Sequence, residues 1–124
     1  MLSSRNGKAI YLVLADKIID GILSDRLKAD DRLLSIRDYA AEVQVNQNTV
    51  KRTYDYLSDQ GLIYNRRGVG FYVATDARKI GESLRSRQLL GSELDKLFRQ
   101  LNLLGITVDE LAEKYRNFID SQKE

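Results

Sequence analysis

Neither cysteine nor histidine occurs anywhere in the 124 residues, and proline is missing as well. Without cysteine there is no disulfide and no thiolate chemistry, a composition suited to a reducing cytoplasm, where we expect the chain to work. Without histidine or cysteine, a nucleophile with an imidazole base and a structural zinc site both lack their parts. Carboxylate-only catalysis stays open in principle. The acids, however, are scattered through stretches rich in lysine and arginine, where a solvated surface is the ordinary reading. We therefore expect no enzyme, no metal and no cofactor. Long apolar runs are absent too, so a membrane is not an expected partner. Met1-Leu2-Ser3-Ser4-Arg5 does not lead into the apolar core of a secretory signal.

An excess of one charge is also lacking. The net charge is +2, weak for a chain that would bind nucleic acid through bulk electrostatics. Residues 1–75 hold 11 Lys and Arg against 9 Asp and Glu, and residues 76–124 hold 9 of each. Any phosphate footprint must then come from placement, and Arg32, Arg37, Lys51, Arg52, Arg66 and Arg67 fall in the segments discussed next.

Hydrophobic residues make up 43% and charged residues 31%, which fits one compact domain, or a small one with an appendage. Ile10, Tyr11, Leu14, Ile18 and Ile22 recur at helical spacing and predict a helix over about 9–23. A polar connector follows, and Arg32-Leu33-Leu34 suggests a short edge strand. Ser35 stands three residues before Asp38, an N-cap with an acid in the first turn. Ile36, Tyr39, Ala40 and Val43 give that helix an inner face. Gln44-Val45 closes a turn, and Asn46 is the natural cap of the next helix, with Val50, Thr53, Tyr54 and Leu57 pointing inward. Gln60-Gly61 ends it. Leu62 to Val73 reads as a hairpin around Gly68 and Gly70.

A helix, a tight turn, a second helix with a polar start and a basic hairpin make a winged helix-turn-helix, the arrangement that inserts a helix N-terminus into the DNA major groove. Asn46 serves foremost as a cap. Gln47 and Asn48 can pair bidentately with adenine from an exposed first turn. Thr49 offers a hydroxyl to phosphate, or merely packs. Lys51 and Arg52 supply charge, with Asp55 placed to pair with Lys51. Arg37 opposes the dipole of its own helix, an odd structural choice that phosphate contact would explain. Arg66, Arg67 and Gly68 form a basic wing tip suited to a narrow groove. Tyr39, Tyr54, Tyr56, Tyr64 and Tyr72 read as packing rather than as base-stacking platforms.

Beyond residue 75 the period changes. Leu90, Leu94, Leu97, Leu101 and Leu104 recur at spacings of four, three, four and three, an a/d-type seam. Gly105 stops that helix, and Thr107-Val108-Asp109-Glu110 is a capping box that starts another, with Leu111, Tyr115, Phe118 and Ile119 on one face. Gly81 and Gly91 are the points where the long helix would bend. A tail this short cannot cover both apolar faces, so a second copy of the chain is the simplest cover. The expected architecture is α+β: a winged helix-turn-helix over 1–75, then a two-helix dimerisation tail over 76–124.

Several motifs in order, Ala9-Ile10-Tyr11, Leu33-Leu34-Ser35-Ile36-Arg37, Val45-Asn46-Gln47-Asn48-Thr49-Val50, Leu57-x-x-x-Gly61-Leu62-Ile63 and Arg66-Arg67-Gly68-x-Gly70-x-Tyr72-Val73, resemble the GntR family of bacterial transcription regulators. The short tail and the Asn-x-Asn-Thr-Val-x-Arg-x-Tyr run resemble its YtrA-type branch. That resemblance implies a dimeric, repressor-like regulator on a palindromic operator in double-stranded DNA. It carries the family's DNA contacts onto Arg37, onto Asn46, Gln47, Asn48, Thr49 and Lys51, and onto Arg67 and Gly68. The chain departs from the family in lacking proline: Leu34 stands where a proline would fix the approach to Ser35. Gln47 replaces an arginine or proline of relatives, so operator sequence is not inherited. Larger members carry an effector domain for which this tail is too short; a third reading, a switch gated by an unknown small-molecule effector between the tail and the winged domain, stays open, with no polar constellation to identify the ligand. The rival from another class is a winged-helix module that binds protein, which the modest net charge favours.

Overall fold

A computed structural model describes residues 7–123; the Met1–Arg5 stretch considered as a leader lies outside them. The chain falls into two compact units, one ending at Leu84 and one beginning at Arg85.

The first unit is built around α1 (Ile10–Leu23), α2 (Ile36–Val43) and α3 (Gln47–Asp59). Leu14, Ala15, Ile18, Ile19 and Ile22 of α1 are buried, one apolar stripe at helical period facing α3. The Ser35 hydroxyl accepts from the Asp38 N–H at 3.0 Å and starts α2. Gln44 takes a left-handed conformation (φ 58°) that stops it, which is the turn expected there. Asn46 Oδ1 then accepts from the Asn48 N–H at 2.7 Å and opens α3.

Tyr54 sits at the centre, 1% exposed. Its hydroxyl donates to the Leu34 carbonyl at 2.7 Å, and its ring stacks on Tyr39 and meets Phe71 edge-on. A buried phenol needs such a partner, since an unpaired polar group in the core is costly. Burial, then the neighbouring Tyr39 and Glu42, push the Tyr54 hydroxyl pKa well above the ordinary tyrosine value. Thr53, also buried, directs its hydroxyl at the Tyr11 carbonyl, 2.9 Å away.

The hairpin pairs β1 (Ile63–Arg66) with β2 (Gly70–Val73) antiparallel, in the register Ile63 with Val73 and Arg66 with Gly70. The short edge strand expected at 32–34 is a single bridge between Arg32 and Tyr72. It is flanked by the Leu33 N–H donating to the Phe71 carbonyl and the Val73 N–H donating to the Asp31 carbonyl, both at 2.9 Å. The connector thus lies along β2 and ties α1, α2 and the wing into one core.

That core extends past residue 75. Ala77, Gly81 and Leu84 of α4 (Ala77–Gln88) are buried, and the Arg78 guanidinium donates to the Leu23 carbonyl and to Asp25, each at 2.9 Å. The compact unit therefore closes inside α4 and not at 75.

In the second unit a π-type turn (Leu89–Glu93), α5 (Leu94–Leu103) and α6 (Val108–Ser121) follow. Gly91 leaves helical geometry (φ −88°, ψ −125°), so the expected bend falls there, while Gly81 stays helical and packed against Ile19, Leu23 and Leu62. The leucine seam is accordingly not one continuous helix. Leu90 lies in the π-type turn, Leu94, Leu97 and Leu101 lie on α5, and Leu104 lies just beyond its end. The Thr107 and Glu110 capping box forms as expected at the start of α6. Among the described residues from Arg85 onward, none is buried.

Candidate nucleic-acid interface

The residues singled out above lie on three parts of the first unit: the first turn of α2, the first two turns of α3 and the hairpin tip. Asn46 is occupied as the cap of α3. This frees the helix start from needing any other side chain, and Gln47 and Asn48 are exposed. Among the described residues, neither amide side chain has a hydrogen-bond partner. Val50 at the next buried position faces the core, so the helix turns its apolar stripe inward and its polar first turn outward. The Asn48 N–H is held by Asn46 Oδ1, and the Thr49 and Val50 N–H groups by the Asn46 carbonyl, while the dipole at the helix start favours an anion. Thr49 is half-buried at the boundary.

The bases divide by what holds them. Lys51 pairs with Asp55 at 2.8 Å, both side chains more than half exposed. Such an i,i+4 surface pair contributes at most about 0.5 kcal/mol, so it yields readily to a phosphate. The Arg52 guanidinium lies 4.1 Å over the ring of Tyr11, so it is held on the α1 side of α3. Arg66 lies 5.0 Å over Tyr72, and Tyr72 stacks in turn on Tyr64. The Tyr64 hydroxyl donates to Asp30 at 3.0 Å, and that hydrogen bond is the main reason its pKa is raised. Arg37 and Arg67 are exposed and, among the described residues, have no ion-pair or hydrogen-bond partner. Arg67 and Gly68 form the hairpin turn, which the Val69 N–H closes onto the Arg66 carbonyl at 2.8 Å. Gly68 takes φ +77° there, a conformation that favours glycine.

Sequence reasoning missed the tyrosine platforms under Arg52 and Arg66. The second was reachable: with the hairpin register in hand, Tyr64, Arg66 and Tyr72 fall on one face. The first joins residues far apart in the chain and left no local signal. Arg32, grouped above with the phosphate-facing bases, is engaged within the protein: its Nη2 donates to the Val69 carbonyl at 2.7 Å.

Beside α2 a cavity of about 740 Å³ opens, with Lys17, Arg26, Asp38, Tyr39 and Glu42 among its walls. No group of three or more acidic, histidine or cysteine side chains that could hold a metal occurs among the described residues. No helix there is long and apolar enough to cross a membrane.

The model of the bacterial regulatory proteins of the gntR family matches residues 10–73, the span from the first helix to the last strand of the hairpin. The chain belongs to the GntR family. YhcF, a helix-turn-helix transcriptional regulator of Bacillus subtilis, is 33% identical over 116 residues, spanning 94% of this chain and 94% of YhcF. YtrA, a helix-turn-helix transcriptional repressor of the same organism, is 26% identical over 113 residues, covering 90% of this chain and 85% of YtrA. Among solved structures, the crystal structure of a GntR-family regulator from Bacteroides thetaiotaomicron superposes with a TM-score of 0.79 at 46% identity. It spans 92% of this chain and 99% of that one. The protein is thus a DNA-binding transcriptional regulator of the YtrA-like kind, with a winged-helix α+β fold.

Proposed function

We propose that this regulator acts as a homodimer and represses transcription by occupying a two-fold symmetric operator, with no catalytic step. The observation that carries the reading is the first turn of α3: its cap is satisfied by Asn46, which leaves Gln47 and Asn48 exposed and unengaged. Side-chain amides presented in this way match the donor and acceptor pair of adenine in the major groove. Arg37, Arg67 and Lys51 supply phosphate contacts that fix register, while Arg52 and Arg66, anchored on tyrosine rings, reach phosphate from more rigid stems. Thr49 offers its hydroxyl to phosphate, and Gly68 lets the backbone approach. The name of its relative YtrA supports repression.

Two copies are needed to place two such turns on one face of a duplex. The apolar face of the tail, with Leu90, Leu97 and Leu104 exposed and Leu94 and Leu101 only half covered, supports joining them there. An effector, where one acts, would find in the cavity beside α2 a volume typical of small-molecule sites, against the helix that carries Arg37.

Selection of bound duplexes from a random pool tests the proposal. An inverted repeat should emerge, with half-site centres roughly 34 Å or a multiple of it apart. Gln47→Ala should relax preference at one or two base pairs, a loss of about 1–3 kcal/mol. A pool that enriches no sequence, together with association insensitive to salt, would instead favour the module that binds protein, because phosphate contacts must weaken as salt rises.

A further inference from the structure

The residue that fixes the wing is not on the wing. Arg32 enters from the connector, where its backbone bridges to Tyr72 of β2, and its side chain runs along the hairpin to the tip. There Nη2 donates to the Val69 carbonyl at 2.7 Å across 37 positions of sequence. Val69 already donates its own N–H to the Arg66 carbonyl to close the turn, so this residue is held through both its N–H and its C=O. Gly70 makes room for the grip. A Cβ built on Gly70 would stand 3.2 Å from Nε of Arg32 and 3.3 Å from Nη2, and its φ of +150° further disfavours any side chain.

We propose that Arg32 is a positioning residue: its guanidinium clasps the wing tip, presetting the directions in which Arg66, Arg67 and Gly68 meet DNA. The proposal rests on the reading of the wing as a DNA contact. An exposed turn that carries two arginines loses conformational freedom when it docks, and a tip held in place beforehand loses less. Arginine suits this task where lysine does not, because the planar fork holds a carbonyl in a fixed direction while its other N–H groups remain able to donate. Arg32 is exposed, so its replacement leaves the core intact and the variants should fold.

The test uses the full chain, with amide exchange at Gly68, Val69 and Gly70 measured in the free protein and affinity measured on the selected operator. Arg32→Ala should speed tip exchange about tenfold or more, the loss of one hydrogen bond from a charged donor. Arg67→Ala should weaken binding about tenfold in the native background but only about two- to threefold beside Arg32→Ala, since a loose tip already forfeits much of that contact. Arg32→Lys should keep the native salt dependence yet loosen the tip as alanine does. Tip exchange unchanged in Arg32→Ala, additive losses in the double variant, or full restoration of tip order by lysine would each overturn the clasp. A tip that loosens while Arg67→Ala costs no affinity even in the native background overturns the wing's role in binding and leaves the clasp as architecture alone.

Discussion

The two units use the same local grammar and reach opposite ends of burial. Ser35 caps α2 and Thr107 caps α6, each hydroxyl accepting from the N–H three residues on, and α3 and α5 each gather apolar residues on one side. In the winged unit that side disappears: Leu14, Val50, Leu57 and Leu62 are 0% exposed. In the tail it does not: Leu103 is 86% exposed and Leu104 72%. The difference lies in what the chain brings back. The winged unit closes α1, α2, α3 and the hairpin around Tyr54, whereas the tail has too few elements to surround anything. Amphipathicity states that a face exists and is silent on what covers it.

The strongest way to break this comparison is to make the tail face polar. Leu97→Asp with Leu101→Asp should convert a dimer to a monomer in sedimentation equilibrium. It should also lower affinity for a two-half-site duplex about 100-fold or more, because the second half-site is no longer presented by a tethered partner. A double variant that stays dimeric would move the interface elsewhere. The next effect distinguishes a core that is internal from one that is shared. Leu57→Ala should cost about 2–5 kcal/mol in urea unfolding, through lost transfer energy and the cavity left behind. That cost should not depend on protein concentration. If the proposed dimer covers the tail face, the cost of Leu104→Ala, at a side chain 72% exposed in the single chain, should grow as concentration rises through the dimerisation range. Equal behaviour of the two would erase the distinction between the units.

The same contrast governs what could be read from the sequence. Caps, left-handed stops and the hairpin were legible because each is written within a few residues: Ser35 with Asp38, Asn46 with Asn48, Gly68 in its turn. The helix faces of the winged unit were legible from period alone. What escaped were links between distant positions. Arg78 joins the end of α1 and draws α4 into the first core, which is why that unit ends beyond residue 75. Arg32 reaches Val69, and Arg52 rests on Tyr11. A guanidinium's partner is set by the fold and leaves no periodic trace. The break at Gly91 lay between: glycine marked where a helix could fail, but competing packing had to decide between Gly81, held against Leu23 and Leu62, and Gly91, with nothing within 4 Å of a Cβ. The candidate interface was legible in outline through its residue types, while the platforms and clasp that orient its arginines were not.

A smaller perturbation sharpens the comparison inside the first core. Tyr54→Phe removes the hydroxyl that donates to Leu34 and should cost about 1 kcal/mol at neutral pH. The phenols of Tyr54 and Tyr39 both have pKa values raised above 10 in the folded state, mainly by burial. The folded protein therefore holds those protons more tightly than the unfolded chain. Their contribution is complete below about pH 10 and is lost as pH rises above it, when the unfolded chain ionises first. Urea midpoints followed from pH 8 to pH 11 should fall more steeply in the native protein than in Tyr54→Phe. Parallel curves would mean that the buried phenol does not govern alkaline unfolding.

The smallest expected effect compares the caps directly. Ser35→Ala and Thr107→Ala each delete one accepted N–H bond at a helix start, and each should cost about 1 kcal/mol of local helix stability. Their reach should differ. α2 is packed into the buried core through Ala40 and Tyr39, so Ser35→Ala should lower the global unfolding free energy and slow amide exchange should accelerate throughout the first unit. α6 has no buried residue, so Thr107→Ala should speed exchange over α6 alone and leave the urea midpoint of the winged unit where it was. If Thr107→Ala instead lowered that midpoint, the two units would share one cooperative transition. The exposed tail face would then have to be covered by the same association on which the stability of the winged core depends.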